Sequence, residues 1–217
     1  MKRERSNLYV LCENVSKKIK NNIILDNINL SLEQGMVHGF RGYNGSGKTM
    51  LLRAIGGLIK PSKGRIVVDN KIIGEDMPFP ESVGILIEYP SFIPNYTGYK
   101  NLLFLAKINN KVNEDKIKET IRLVGLDPDD KRKYKKYSLG MKQRLGIAQA
   151  IMEEPSLLLL DEPTNALDED GIELMVQIIR RLKSEGKTII VTSHDRDFLE
   201  RVTDNTYIIS KGMVTNG

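Results

Sequence analysis

A chain of 217 residues with 40% hydrophobic and 28% charged residues is globular, which excludes a disordered polymer, a collagen-like repeat and a mucin-like stalk. A single cysteine, Cys12, excludes an intramolecular disulfide and a Cys-rich zinc site, and beside Leu11 it reads as an ordinary buried thiol. The net charge of +5 allows an anionic partner without demanding one, and no apolar run nears the ~18 residues of a membrane span.

The charged start MKRERSNLYV lacks the apolar stretch of a secretory signal, so a soluble, cytoplasmic chain is expected. Residues 8–33 alternate apolar and polar positions, with Ile24, Ile28, Leu30 and Leu32 near period two, and predict antiparallel strands. A short strand, Met36 to Arg41, then meets a glycine-rich turn, and a helix follows from near Gly47 to Gly56-Gly57. Val67-Val68 and Ile72-Ile73 flank Asp69-Asn70-Lys71 as a hairpin, and 83–88 (VGILIE) predicts a strand. From Thr97 to Gly125 the pattern is helical, carried by Leu102, Leu103, Leu105, Ala106, Ile117, Ile121 and Val124. Lys131 to Lys136 is a basic cluster read as a solvated face. Ser138 caps a helix running to about Glu154, where Pro155 stops it.

The last third alternates strand and helix. Leu157–Leu160 is a strand, and Asp168–Glu185 is amphipathic through Ile172, Met175, Val176, Ile179 and Leu182. Thr188–Thr192 is strand-like, Asp195–Val202 a short helix, and Tyr207–Ile209 a further strand. Strands separated by helices imply parallel pairing. The expectation is one α/β domain with an antiparallel N-terminal sheet and an inserted helical segment.

Gly42-Tyr43-Asn44-Gly45-Ser46-Gly47-Lys48-Thr49 fits G-x-x-x-x-G-K-[ST]. Glycines let the backbone curl so that successive N–H groups form an anion nest, and the following helix adds partial positive charge. Lys48 supplies a mobile charge for the β and γ phosphates, and the Thr49 hydroxyl suits Mg²⁺. A dinucleotide fingerprint fits less well, because Met50 stands where its third glycine belongs. Leu157–Leu160 leads into Asp161 and Glu162, placing one carboxylate to hold Mg²⁺ and the next to accept a proton from an attacking water.

With these motifs in place, the chain resembles the nucleotide-binding subunit of an ATP-binding-cassette (ABC) transporter over almost its whole length. Gly42–Thr49 resembles the family's Walker A, Leu157–Glu162 its Walker B with catalytic glutamate, and Pro163–Asp168 its D-loop, with Asp168 as the aspartate. Ser193-His194 is similar to its switch-histidine region. Tyr137-Ser138-Leu139-Gly140-Met141-Lys142-Gln143-Arg144 resembles the signature motif, which ordinary P-loop proteins lack.

The resemblance implies a P-loop NTPase fold with a mixed core sheet, a core of roughly residues 1–89 and 155–217, and a helical subdomain of roughly 90–154. It implies ATP and Mg²⁺ as cofactors and a head-to-tail pair of cassettes, with a homodimer expected. Residues 42–50 would bind ATP, and Thr49, Asp161 and Glu88 would serve the metal. Glu162 and His194 would be catalytic, and Ser138, Leu139, Gly140 and Met141 would cover the opposite protomer's ATP. A separate transmembrane permease would dock on the helical segment, with Thr97–Leu105 and Phe92, Tyr96 and Tyr99 as the contact patch. The chain would then sit in the cytoplasm on the inner face of the membrane. No nucleic acid partner is expected.

Four departures stand out. Leu139 and Met141 replace a glycine and a glutamine of the usual signature, and a leucine resists positive φ. Glu88, in Ile87-Glu88-Tyr89-Pro90, replaces a glutamine that touches Mg²⁺ and the permease. Ile19 replaces the aromatic residue that stacks on adenine, and Met50 replaces a hydroxyl residue near the α-phosphate. Glu88, Pro90, Asn95–Tyr99 and YSLGMKQRLGIA together are similar to exporters for self-immunity or resistance to lantibiotics and bacitracin. The alternatives are a soluble ABC ATPase acting on ribosomes or nucleic acid and an inactive structural cassette. His38, in the strand before the turn, is expected to be structural.

Overall fold

The computed structural model describes residues 7–88 and 90–217, so the charged residues 1–6 and Tyr89 lie outside the described residues. The alternation of residues 8–33 becomes two long antiparallel strands, β1 (Leu8–Ile19) and β2 (Asn22–Glu33), turning through Lys20 at φ 52°. β4 (Lys63–Val68) adds to β1, and the hairpin strand β5 (Lys71–Ile72) closes a four-stranded sheet in the order β2-β1-β4-β5. Asp69 and Asn70 have φ of 48° and 64°, the left-handed pair that a two-residue hairpin turn needs.

The second sheet has six strands in the order β10-β9-β3-β8-β7-β6. Its centre is parallel: β3 (Val37–Arg41), β6 (Val83–Leu86), β7 (Leu157–Asp161), β8 (Thr188–Ser193) and β9 (Asn205–Ser210). β10 (Met213–Asn216), which the sequence reading missed, folds back antiparallel on β9. β6 is shorter than expected, because Glu88 turns into the left-handed region at φ 59°.

The four leucines of β7 show why a continuous apolar run is a buried parallel strand. Leu157 and Leu159 point to one side, where α1 (Lys48–Ile55) fills the space between the two sheets. Leu158 and Leu160 point to the other, into a core shared with α2 (Gly98–Asn109), α3 (Glu114–Leu123), α4 (Leu139–Ile151), α5 (Glu169–Ser184) and α6 (Arg196–Val202). α2, α3 and α4 are inserted between β6 and β7, which are neighbours in the sheet. Ser138, Asp168 and Asp195 cap α4, α5 and α6 by accepting from backbone N–H groups of the first turn. α4 ends at Ile151, ahead of Pro155.

His38 is buried, and its Nε2 donates to the Glu33 carbonyl at 2.9 Å, in keeping with a structural role. Burial lowers its pKa and outweighs the raising effects of that bond and of Asp204 and Glu33. Cys12 is buried, and desolvation pushes its thiol up to about 12, which makes it inert. Lys131, Arg132, Lys133, Lys135 and Lys136 are exposed, while Tyr134 among them is buried and donates to the Pro90 carbonyl at 2.6 Å.

Candidate active site

β3 delivers the chain to the glycine turn, and α1 leaves it. Gly45 and Gly47 take φ of 79° and 115°, which L side chains adopt only under strain. A Cβ on Gly42 would lie 2.3 Å from the Ile209 carbonyl oxygen of β9, so the third glycine is needed for close packing. No side chain caps the start of α1 and no acidic residue sits in its first turn, which leaves its N–H groups open to an anion. Lys48 folds back over the turn, donating to the carbonyls of Gly42 (2.6 Å) and Tyr43 (3.2 Å). Its Nζ also lies 3.3 Å from Glu162 Oε1.

At the ends of β7 and β8 a second set converges. Thr49 Oγ1 donates to Asp161 Oδ2 at 2.7 Å, and Thr192 Oγ1 donates to Asp161 Oδ1 at 2.6 Å, so both carboxylate oxygens are fixed. Asp161 is 6% exposed. Glu162 has φ 47°, and its N–H donates to both the carbonyl and the hydroxyl of Thr192. That left-handed turn aims its carboxylate between Lys48 on one side and His194 on the other, whose Nδ1 is 2.9 Å from Oε2. Gln143, 3% exposed, reaches from α4 to donate to the carbonyls of Glu162 (3.3 Å) and Pro163 (3.2 Å). Glu88 pairs with Arg53 of α1 at 2.7 Å.

Lys48, Thr49, Arg53, Glu88 and Glu162 share one cavity of about 340 Å³ with Asn44, Gly45, Gly47 and Met50, and Asp161 and Gln143 line an adjoining one with Glu88 and Glu162. Ile24 of β2 also lines the first; Ile19, the expected neighbour of a base, is exposed. Ser138, Leu139, Gly140, Met141 and Asp168 line a different concavity with Ala166 and Arg144. Within one chain, the two halves of the predicted site are therefore apart. Leu139 needs no positive φ: it is the first residue of α4 and is 63% exposed. The close approach falls instead at Gly140, whose Cβ would lie 2.9 Å from the Ala166 carbonyl oxygen. Asp168 caps α5 through the Gly171 N–H (2.9 Å) and accepts from Arg144 (3.2 Å), tying the two motifs together.

The donor chemistry fits Mg²⁺ arriving with a nucleotide. Among the described residues there is no cluster of three or more His, Cys, Asp or Glu side chains that could hold a metal ion. Mg²⁺ is usually held by one or two protein oxygens plus substrate phosphates and waters, and the Thr49 hydroxyl and Asp161 carboxylate are oxygen donors of that kind.

Residues 25–165 match the protein family described as ABC transporter. The chain belongs to this family. The cassette is 47% identical over 191 residues to an uncharacterized ABC transporter ATP-binding protein, YybJ of Bacillus subtilis, covering 88% of each chain. It is 41% identical over 194 residues to the bacitracin transport ATP-binding protein BcrA of Bacillus licheniformis. That match covers 87% of the cassette and 62% of BcrA, so the cassette spans less than two thirds of this relative. Its fold matches the ATP-binding cassette MJ0796, solved as a dimer in a post-hydrolysis state bound to ADP and Pi. The TM-score is 0.87 at 25% identity, with 95% of the cassette and 97% of the other chain covered. The chain is thus an ABC-type ATPase domain with an α/β P-loop fold. Among its described residues no helix is long and apolar enough to cross a membrane.

Three polar residues of the cassette's site escaped the sequence reading: Thr192, Gln143 and Arg53. Each is held by a partner in a distant element. The one available signal for Gln143 was its place inside the signature stretch, two residues after Met141.

Proposed function

We propose that the cassette hydrolyses ATP as half of a head-to-tail pair and powers a separate membrane permease that exports a peptide antibiotic. One observation carries the reading: Glu162 stands between Lys48 and His194, beside a Thr49–Asp161 pair, while Ser138 and Gly140 open onto another surface. A site split in this way is completed by a second chain. In that pair, residues 42–50 cradle the triphosphate and Lys48 trades its Glu162 contact for phosphate. Thr49 and Asp161 hold the metal, which neutralises phosphate charge when bound. Glu162 accepts the proton of the attacking water, and His194 orients Glu162 and reaches the γ-phosphate. The opposite chain's Ser138 and Gly140 close over it, with Asp168 steadying that surface through Arg144.

The division into a core (1–89 and 155–217) and a helical subdomain (90–154) gives the permease its landing place. Of the three aromatics considered, Phe92 packs edge-on against Tyr134 at 5.2 Å, and the Tyr99 hydroxyl is bound to Glu114 at 2.6 Å. Tyr96 stays exposed and lies 5.1 Å from exposed Phe104, with Ile93 and Ile108 also exposed. This apolar patch supports docking on a permease at the inner membrane face. Export of bacitracin-like or lantibiotic-like peptides is supported by the likeness to BcrA. A ribosome- or nucleic-acid-directed role draws no support from these relatives.

The test is Glu162→Gln. The variant should bind MgATP, form a stable dimer by light scattering, and release phosphate at least 100-fold more slowly, since general bases contribute about 10²–10⁴-fold. Native turnover would remove Glu162 from the chemistry. A monomer at saturating MgATP would refute the paired site. Pull-down of the same variant from detergent-solubilised host membranes should recover a polytopic membrane protein; ribosomes alone would overturn the transport reading.

A further inference from the structure

We infer that Arg53 is a positioning residue that restrains Glu88 beside the triphosphate site and thereby sets how strongly nucleotide binding depends on Mg²⁺. The inference rests on the nucleotide-site reading above. Arg53 follows Thr49 by four residues on α1, so the two side chains lie on one helix face. Thr49 engages the Asp161 carboxylate, and one turn on, Arg53 Nη2 engages Glu88 Oε1 at 2.7 Å. Both members of the second pair line the cavity that contains Lys48 and Thr49.

Glu88 also lines the adjoining cavity with Gln143, Asp161 and Glu162, so it stands where the two spaces meet. Three carboxylates therefore surround a place meant for a polyanion. Asp161 accepts from two hydroxyls, and Glu162 has Lys48 beside Oε1 and His194 beside Oε2. Among the described residues Arg53 is the ion-pair partner of Glu88, and the left-handed backbone of Glu88 keeps the carboxylate at the cavity. Without Arg53, that charge faces incoming phosphates directly unless Mg²⁺ stands between them. A glutamine at this position would carry no such charge, so the device belongs to chains with an acid here.

The test is a titration of the full chain with the fluorescent nucleotide TNP-ATP, once in EDTA and once in excess MgCl₂. Four proteins are compared: the native chain, Arg53→Ala, Glu88→Gln and the double variant. The readout is the ratio of the metal-free Kd to the Mg²⁺ Kd. Arg53→Ala should raise that ratio about tenfold, which is about 1.4 kcal/mol. Glu88→Gln should lower it, and in that background Arg53→Ala should change it less than about twofold, within the limits of additivity. Arg53→Lys should fall between the native chain and Arg53→Ala, since it keeps charge without the planar fork. It also stands in for Arg53→Ala if that variant fails to fold. Equal weakening of both Kd values by Arg53→Ala would overturn the inference, as would an undiminished effect in the Glu88→Gln background. If the native chain binds no nucleotide in either buffer, the site reading fails and this inference with it.

Discussion

Thr192→Val tests whether the end of β8 organises the site. The native hydroxyl is fully buried, donates to Asp161 Oδ1 at 2.6 Å and accepts from the Glu162 N–H at 3.0 Å. Valine keeps the branched shape and removes both links. The bond to a carboxylate is the stronger, at about 1.5–3 kcal/mol for a hydrogen bond to a charged group. The Glu162 N–H keeps the Thr192 carbonyl at 3.1 Å, so its loss adds little. A destabilisation of about 2 kcal/mol follows, and a domain of this size loses about 2–4 °C of Tm per kcal/mol. The expected fall is therefore about 4–8 °C, measured by calorimetry without nucleotide. Asp161 would then be fixed only by Thr49, so Mg²⁺-dependent phosphate release should slow by about tenfold, the equivalent of 1.4 kcal/mol. A melting point within a degree of native, together with native turnover, would show that Asp161 is positioned by something other than Thr192.

Two other outcomes are expected. Gly42→Ala puts a methyl 2.3 Å from the Ile209 carbonyl oxygen and 2.7 Å from Ser46 Oγ. Overpacking of that kind costs about 1–3 kcal/mol and displaces the turn, so ATP affinity should fall more than about tenfold while far-ultraviolet dichroism stays native. Native affinity would show that the turn tolerates the shift. His38 has its pKa lowered by burial, so the unfolded chain binds its proton more readily than the folded one. Its contribution to stability is complete above the unfolded value near 6.5 and is lost as pH falls below it, at no more than about 1.4 kcal/mol per pH unit. Urea titrations between pH 7 and 5 should show this slope, and His38→Gln should remove that part of it. An unchanged slope would place the titration elsewhere.

The phosphate turn was legible in the sequence because its demands are local: two left-handed glycines, one glycine without room for a Cβ, and a lysine at the helix start. The four leucines of β7 were legible because burial on both faces leaves no polar position before Asp161. Ser138 announced its helix by side-chain chemistry, whereas the caps Asp168 and Asp195 emerged only from the structure. Thr192, Gln143 and Arg53 were not legible, since their partners Asp161, Glu162 and Glu88 lie 19 to 35 residues away and meet them only after the sheet assembles. β10 was missed because a four-residue edge strand carries almost no pattern. The doubt over Leu139 arose from assigning the tight approach to the wrong position. It belongs to Gly140, and Leu139 turns outward.

The strand order has a bearing on synthesis. β3, which carries the phosphate turn, is flanked by β8 and β9, and Gly42 packs on the Ile209 carbonyl. The Gly212 N–H then donates to the Ser46 carbonyl at 3.0 Å, so the turn is braced by residues made about 170 positions later. At about 5–20 residues per second, a nascent chain carries an unbraced turn for roughly ten to thirty seconds. If the turn binds nucleotide as proposed, capture would report that the last strands have arrived, and an abortive fragment ending before β8 would have the motif without its braces.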